Sequence, residues 1–154
     1  MSKILISGYY GFANAGDEAM LTAIIESLRQ VEKNVELTVL SGNPEDTAAK
    51  HQVCSVYRFN PLGIIRAMKD SELIISGGGS LLQDVTSKRS LLYYLSIIGL
   101  GKFLGKKVML FAQGIGPIRA KWARKLTSLV CNEADLITVR DSESAAELIE
   151  MGVK

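Results

Sequence analysis

The sequence predicts a single α/β domain with a Rossmann-like, doubly wound sheet of about six mainly parallel strands. Three observations support this fold class. The chain has 154 residues, which is the size of one domain. Short apolar runs rich in β-branched residues alternate along it with longer stretches of helical period. The runs are almost continuously apolar, as is typical of parallel strands that helices cover on both faces.

In chain order, six strands alternate with six helices. The predicted strands are Lys3–Ser7, Val35–Leu40, Val53–Tyr57, Leu73–Ser76, Val108–Ala112 and Leu136–Val139. The predicted helices lie near Asp17–Val31, Pro44–Lys50, Pro61–Lys69, Ser87–Leu104, Arg119–Asn132 and Ser142–Met151. The usual doubly wound strand order, 3-2-1-4-5-6, makes the first and fourth strands neighbours. Residues 1–154 are expected to be the amino-terminal domain of a longer, two-domain protein, because Val153 after the cap-like Gly152 could begin another strand.

Two of the predicted helices carry an apolar stripe. In the first helix, apolar residues recur every three or four positions, at Met20, Ala23, Ile24, Leu28 and Val31. The fifth helix has the same spacing at Trp122, Leu126, Leu129 and Val130. Such a stripe is typical of a helix that packs on one side against a core. Trp122 is therefore expected in the core.

Composition excludes several classes of protein. Apolar residues make up 47% of the chain and charged residues 22%, so a core can form and disorder is not expected. Two cysteines, Cys54 and Cys131, exclude a disulfide framework and a cysteine zinc site, and are expected as free buried thiols. The single histidine, His51, excludes sites that need two, and no metal site is expected. Without a signal peptide or the ~20 apolar residues of a membrane span, the protein is expected to be cytoplasmic.

Charge is unevenly distributed along the chain. The net charge is only +2, but residues 85–132 contain no acidic residue. The nine basic residues of this basic segment are Lys88, Arg89, Lys102, Lys106, Lys107, Arg119, Lys121, Arg124 and Lys125. Such a segment attracts phosphate or an anionic membrane surface, or it is a set of solvated helix faces. Nucleic acid is not expected as a partner, because the segment lacks an aromatic–basic repeat or a reading helix.

Two glycine-rich segments follow predicted strands. The first runs from Gly8 to Glu18 after the first strand, and the second runs from Gly77 to Asp84 after the fourth. If these strands are neighbours, the two segments face each other across the crevice in which doubly wound sheets bind ligands. Glycines there let backbone N–H groups approach a ligand closely. The alternative is that they only make tight strand-to-helix turns.

Neither glycine segment matches a known nucleotide-binding motif. Gly11 and Gly16 are spaced like the two glycines of a P-loop motif. However, Asp17 and Glu18 stand where that motif requires Lys followed by Ser or Thr. In a dinucleotide-binding fingerprint, Tyr10 would stand at the position of the second glycine. The second strand also does not end in the acidic residue that binds a ribose. A P-loop NTPase is therefore excluded, and NAD or FAD is not expected.

Polar residues in the first segment are candidates for chemistry. Asp17 and Glu18 could accept hydrogen bonds from sugar hydroxyls, or act as a general base towards one. The alternative is that both acids only complement the positive end of a helix dipole. Asn14 lies among apolar neighbours and must find hydrogen-bond partners.

Two further segments follow the fifth and sixth strands. Gln113 and Gly114 begin a third polar loop at the crevice. Arg140 could bind an anion or pair with an acid, and Asp141 is expected to cap a helix. His51 lies on an outer connection, so a catalytic role is not expected.

Four ordered segments carry a specific resemblance. They are Gly11–Glu18, Ser76–Asp84, Ala112–Pro117 and Val139–Ser144. Together they resemble the motifs of the polysaccharide pyruvyl transferase family. The nearest branch is the one that pyruvylates secondary cell-wall polysaccharide to anchor S-layer proteins. The resemblance covers all 154 residues, as the amino-terminal half of that family.

The resemblance implies a fold and a reaction. The fold is one half of a two-domain enzyme similar to GT-B glycosyltransferases, with the active site in the cleft between the halves. Phosphoenolpyruvate is the donor substrate, no cofactor is needed, and the acceptor is an N-acetylmannosamine residue of a lipid-linked saccharide. Basic donor-binding residues, including a histidine, lie largely in the carboxyl-terminal half. This chain alone is therefore expected to be inactive.

The resemblance also implies roles for individual residues. Asp17 or Glu18 is the candidate catalytic base. The implied substrate-binding residues are Gly11, Asn14, Gly16, Gly77, Gly78, Gly79, Ser80, Gln83, Asp84, Gln113, Gly114 and Arg140. The basic segment is expected to contact the inner face of an anionic membrane peripherally. Two alternatives are half of a sugar-nucleotide-dependent GT-B glycosyltransferase and a non-catalytic, flavodoxin-like binding module.

Overall fold

A parallel sheet organises the chain in the computed structural model, which describes residues 2–85 and 87–154. Its strands are β1 (Lys3–Ser7), β2 (Glu36–Ser41), β3 (Cys54–Tyr57), β4 (Leu73–Ser76), β5 (Gly79–Leu82), β6 (Lys107–Ile115) and β7 (Leu136–Val139). The helices are α1 (Ala15–Val31), α2 (Pro44–His51), α3 (Pro61–Asp70), α4 (Lys88–Phe103), α5 (Lys121–Asn132) and α6 (Ser142–Met151). The predicted α/β class and doubly wound, parallel arrangement are confirmed.

The strand order confirms the predicted neighbours and adds one strand. The order is β3-β2-β1-β4-β6-β5, and β7 also pairs with β6. Ser7 of β1 stands beside Ser76 of β4, so the carboxyl ends of these two strands meet. β5 was not predicted, because Gly79-Ser80 lacks strand-forming side chains. β5 forms where Gly79 pairs with Gln113, on the part of β6 that extends beyond β4.

The sheet is buried on both faces, which explains its apolar strands. Ile6 of β1 and Ile75 of β4 pack with α1 on one face. Leu5 and Ile74, their neighbours in sequence, point the other way into a core formed with α3, α4, α5 and α6. Leu5 is fully buried, and such burial stabilises the fold by about 1.5–3 kcal/mol per side chain.

Most helices begin where a polar side chain can cap them. The side chains of Asn14, Asn43, Asn60, Ser87 and Asp141 each accept a hydrogen bond from a backbone N–H in the first turn that follows. This pairing satisfies donors that a helix start otherwise leaves open. The predicted cap at Asp141 is confirmed. α5 differs, because Ala120 stands at its cap position and provides no side-chain acceptor.

The stripe predicted for α5 is partly wrong. Trp122 is 47% exposed and Leu129 is 60% exposed. The buried face is centred instead on the small residues Ala123, Thr127 and Cys131. At 100° per residue, Trp122 and Leu129 fall beyond the edge of that face. Small side chains let α5 pack closely on its neighbours, and the largest residue of the helix remains at the surface.

Three other local predictions also need correction. In α1, Leu21 and Ile25 are buried, whereas Val31 of the predicted stripe is 88% exposed. Cys54 is exposed at the edge of the sheet, although Cys131 is buried as expected. Gln113 does not lie in a loop, because β6 continues to Ile115. In the parts of the chain that the structure describes, no helix has the length and apolarity that crossing a membrane requires.

Candidate functional site

The two glycine-rich segments meet at the carboxyl ends of β1 and β4. A Cβ atom added to Gly79 would lie 3.0 Å from Oδ1 of Asp17. Gly79 has a φ of +104°, a conformation that favours glycine. The carboxylate that the sequence singled out on the first segment therefore lies against the backbone of the second, and the two segments meet as predicted.

Two glycines of the second segment lie against side chains of the first segment and of α1. A Cβ on Gly77 would lie 2.0 Å from the hydroxyl oxygen of Tyr10, and one on Gly78 would lie 3.1 Å from atoms of Met20. Packing therefore requires glycine at position 77, whereas at position 78 the flexible Met20 side chain would have to shift by only a few tenths of an ångström. Contact of either glycine with a substrate stays a prediction.

Gly11 and Gly16 differ in how strictly their positions require glycine. Gly11 has a φ of +87°, and a Cβ there would lie 2.2 Å from Oγ of Ser41 at the end of β2. At Gly16 the nearest atom to an added Cβ is Oδ1 of Asn14, at an ordinary 3.5 Å. Packing therefore explains Gly11, but it does not explain Gly16.

Asn14 and Asp17 are linked at the first turn of α1. Oδ1 of Asn14 accepts a hydrogen bond of 3.1 Å from the backbone N–H of Asp17, which identifies Asn14 as the helix N-cap. Burial raises the pKa of the Asp17 carboxyl, and the charge of Glu18 raises it further. A carboxylate with a raised pKa is a better proton acceptor than an ordinary one, which suits a general base.

Glu18 and His51 form a second, unexpected pair beside α1. Both carboxylate oxygens of Glu18 are buried without a hydrogen-bond partner in the described structure, and so is Nε2 of His51. Nε2 lies 4.0 Å from Oε2 of Glu18. His51 does lie on an outer connection, at the end of α2, but its side chain approaches one of the two candidate acids, which the sequence did not indicate. The single histidine reaches the first turn of α1 because the end of α2 packs beside that helix.

Gln113 is placed inside the sheet and not on its rim. Its side chain is fully buried. Nε2 donates hydrogen bonds of 2.9 Å to the carbonyl of Ser76 and 2.6 Å to that of Gly77. These bonds join β6 to the end of β4 and hold the start of the second glycine segment. In this structure Gln113 therefore positions that segment from inside the sheet.

Asp84 and Gln83 follow β5 at the other end of that segment. Both carboxylate oxygens of Asp84 accept 3.0 Å hydrogen bonds from the backbone N–H of Arg119, and one accepts a 3.1 Å bond from Ala120. Asp84 therefore holds the segment that leads into α5 and satisfies the backbone N–H of the cap residue Ala120. These backbone bonds lower the pKa of its carboxyl. Gln83 is half-buried beside it.

Arg140 supplies a cation at the crevice, directly after β7. Its Nη1 donates a 3.0 Å hydrogen bond to Oγ of Ser80, and its Nε lies 3.4 Å from Oδ2 of Asp141. The guanidinium covers Gly114, where a Cβ would lie 2.5 Å from Nη2. Glycine at position 114 therefore makes room for Arg140. About half of the Arg140 side chain is exposed and accessible to an anion.

The sequence model of the family "Polysaccharide pyruvyl transferase" matches residues 14–154. The chain belongs to this family. The matched range begins at Asn14, so it includes the acidic pair, the second glycine segment and Arg140, whereas Gly11 lies just before it. No curated protein matches the chain.

In this pyruvyl transferase family member, the crevice combines an acidic and a basic end. Asp17 and Glu18 lie at the β1 side, and Arg140 lies at the β7 side, where it donates a hydrogen bond to Ser80 of β5. A groove of about 280 Å³ borders Arg140 and is lined by Pro117 and the first turns of α6. Among the described residues, no three His, Cys, Asp or Glu side chains are grouped to share a metal ion.

Sequence reasoning missed one prominent residue near the crevice. Arg58 follows β3, is 5% exposed, and is surrounded by aromatic rings from three parts of the chain. The available signal was the run Tyr57-Arg58-Phe59, an arginine between two aromatics at the end of a strand. The remaining rings come from distant segments, so the sequence pattern shows only part of this cluster.

Proposed function

We propose that this chain is the acceptor-side domain of a pyruvyl transferase. In the proposed reaction, the pyruvyl group of phosphoenolpyruvate moves to two hydroxyls of a cell-wall polysaccharide sugar and becomes a cyclic ketal. The observation that supports this most strongly is the position of Asp17 against Gly79, in a chain that belongs to the pyruvyl transferase family. The finer assignment to the S-layer-anchoring branch is part of the proposal.

The proposed chemistry proceeds in two additions at C2 of phosphoenolpyruvate. An acceptor hydroxyl adds to C2 and loses its proton to a carboxylate, while C3 takes up a proton and becomes a methyl group. The bond from C2 to the phosphate oxygen then breaks, and inorganic phosphate leaves. A second hydroxyl adds to C2 and loses its proton, which closes the ketal without any change of oxidation state overall.

Different residues of this chain are proposed to bind the acceptor and the donor. Asp17, with its raised pKa, is the proposed base for an acceptor hydroxyl, and the backbone of the second glycine segment provides hydrogen-bond donors beside it. Arg140 is the proposed partner of the donor phosphate, because a guanidinium forms charge-assisted hydrogen bonds with phosphate oxygens.

A second domain is also part of the proposal. The groove beside Arg140 measures about 280 Å³. Complete small-molecule sites usually measure about 300–1,000 Å³, so this groove is suited to only part of a substrate pair. We propose that a carboxyl-terminal domain covers the crevice and supplies further cations for phosphoenolpyruvate.

The experiment measures ketal formation directly. The 154-residue chain and the protein that carries the proposed second domain are each incubated with phosphoenolpyruvate and an N-acetylmannosaminyl acceptor. Phosphate release and the new methyl signal in the proton NMR spectrum are followed. We expect both signals with the two-domain protein and neither with the chain alone. Absence of both signals with the two-domain protein, or turnover of a sugar nucleotide in a parallel sample, contradicts the proposed function.

A further inference from the structure

Arg58 lies at the centre of an aromatic cluster that the proposed reaction does not use. Its guanidinium carbon is 4.4–5.9 Å from the centroids of five rings. These aromatic residues are Tyr9, Phe12, Phe59, Tyr93 and Tyr94. Cations are attracted to ring faces at such distances, so the cluster holds the side chain in place.

The positive charge of Arg58 has no carboxylate partner in the described part of the chain. The ion pairs found there involve other residues, and Nε of Arg58 is buried without a hydrogen-bond partner. Tyr93 donates its hydroxyl to the backbone carbonyl of Arg58 and not to an anion. Because a buried charge is costly unless it is paired, an anionic ligand at Arg58 would be favoured.

An apolar groove of about 420 Å³ adjoins this arginine. Arg58 lines it together with Phe59, Ile65, Ile97 and Leu100, on α3, α4 and the segment before α3. Leu62, one helical turn before Ile65, is 74% exposed, so apolar surface continues along α3. The volume lies within the usual range for a small-molecule site, about 300–1,000 Å³.

We propose that this groove binds the isoprenoid chain of a lipid phosphate and that Arg58 binds its phosphate group. The inference rests on the proposed function, in which the acceptor saccharide is lipid-linked. A chain without polar atoms matches the apolar lining, and phosphate matches a guanidinium that has no carboxylate partner among the described residues. Arg58 also contacts the rings of Tyr9 and Phe12 in the first glycine segment. A phosphate at Arg58 therefore directs the attached sugar towards the crevice.

Calorimetric titration of the 154-residue chain tests this inference without any turnover. The probe is farnesyl phosphate below its micelle concentration, and the comparison probes are farnesol and inorganic phosphate. We expect farnesyl phosphate to bind at least about tenfold more tightly than either, because only it offers both the chain and the anion. No binding of farnesyl phosphate, or equal binding of farnesol, overturns the inference.

Variants locate the binding site on the chain. Arg58→Gln and Ile65→Gln should each weaken farnesyl phosphate binding about tenfold or more. Arg66→Gln is the matched control, because it removes a positive charge from an exposed position on α3, next to Ile65. If melting shows that Arg58→Gln does not fold, Ile65→Gln on the groove wall and the farnesol comparison decide. Equal weakening by Arg66→Gln overturns the inference.

The two proposals can fail separately. Pyruvyl transfer by the two-domain protein, with no farnesyl phosphate binding by this chain, overturns the lipid site and leaves the proposed function intact. Farnesyl phosphate binding without pyruvyl transfer supports the lipid site and contradicts the proposed function.

Discussion

The carboxylate of Asp84 accepts hydrogen bonds of 3.0 Å from the backbone N–H of Arg119 to both of its oxygens, just before α5 begins. The two residues are distant in sequence, and the bond joins the end of β5 to the segment that leads into α5. α5 carries part of the basic segment, so Asp84 positions that segment relative to the crevice.

We expect Asp84→Asn to lower the melting temperature in a pH-dependent way. The backbone bonds from Ala120 and Arg119 hold the pKa of Asp84 below its usual range, so its contribution to stability is present above the unfolded-state pKa of about 3.9. That contribution is lost as the pH falls through the lower, folded-state pKa. Thermal unfolding monitored by circular dichroism should show the largest difference at neutral pH and none at the acid extreme.

Asp70→Asn is the matched control for this prediction. Asp70 is an exposed aspartate at the end of α3, and among the described residues no backbone N–H donates to its carboxylate. Its substitution should leave the melting temperature nearly unchanged. An Asp84→Asn difference that is the same at every pH would contradict a role for the Asp84 charge.

We predict that Asp17→Asn lowers pyruvyl transfer at least tenfold in the two-domain protein, about 1.4 kcal/mol of transition-state stabilisation. The amide keeps the shape of the side chain but accepts no proton. The measurement is kcat/KM for phosphate release, with the melting temperature as a check on folding. Activity within a factor of about two of the unmodified protein would exclude Asp17 as the base.

Asn14 needs two substitutions, because it caps α1. Asn14→Ala should lower the stability of the fold by about 1 kcal/mol, since it leaves a backbone N–H at the helix start without its acceptor. Asn14→Ser retains a capping oxygen and should retain the melting temperature. If Asn14 also contacts the acceptor, Asn14→Ser loses activity although it remains stable. Full activity of Asn14→Ser would show that capping is its only role.

The pH profile of the reaction should depend on both acids of α1. As the proposed base, Asp17 must be ionised, so activity falls as the pH decreases through its raised pKa. The charge of Glu18 contributes to that raised value, so Glu18→Gln should shift the acid limb of kcat/KM to lower pH. If the acid limb does not move in Glu18→Gln, the charge of Glu18 does not influence the ionisation that limits the reaction.

Gly77 and Tyr10 provide a test of packing at the crevice. Gly77→Ala should destabilise the fold by about 1–3 kcal/mol, because the new Cβ would overlap the Tyr10 hydroxyl oxygen. That hydroxyl is buried without a partner, so Tyr10→Phe alone should be neutral or slightly stabilising. The double variant should regain part of the free energy of unfolding lost in Gly77→Ala, as measured by chemical denaturation. Equal stability of the single and double variants would argue against this contact.

The basic segment is also predicted to bind an anionic membrane peripherally. Trp122 is exposed, and Nζ of Lys88 lies 6.0 Å from the centroid of its ring. Each basic residue near an anionic leaflet contributes about 1 kcal/mol, so several together would give weak, salt-sensitive binding. Vesicles with anionic lipid should sediment the protein at low salt and shift the fluorescence of its single tryptophan.

Charge variants provide the control for that prediction. Lys88→Gln with Lys125→Gln should weaken sedimentation with anionic vesicles, whereas Lys33→Gln with Lys69→Gln, outside the segment, should not. Binding that is equal for neutral and anionic vesicles would show that the basic segment is an ordinary solvated surface.

Local patterns in the chain were enough for the fold class and for most element bounds. β1 and β4 begin and end where their apolar runs do, because strands buried on both faces need a continuous apolar sequence. The start of α6 follows from Asp141, since capping is an interaction between near neighbours, whereas α1 begins two residues before the predicted Asp17, directly after its cap Asn14. The crevice itself followed from the winding rule that places β1 beside β4.

Contacts between distant segments could be decided only by the tertiary structure. The bonds of Asp84 to the segment before α5, the approach of His51 to Glu18 and the rings around Arg58 each join parts of the chain that no local pattern connects. Trp122 shows the same limit within one helix. Periodicity indicates which residues share a side of a helix, but the neighbouring elements determine how much of that side is covered. Burial and hydrogen bonding depend on those neighbours, so the roles of these residues become visible only when the sheet is assembled.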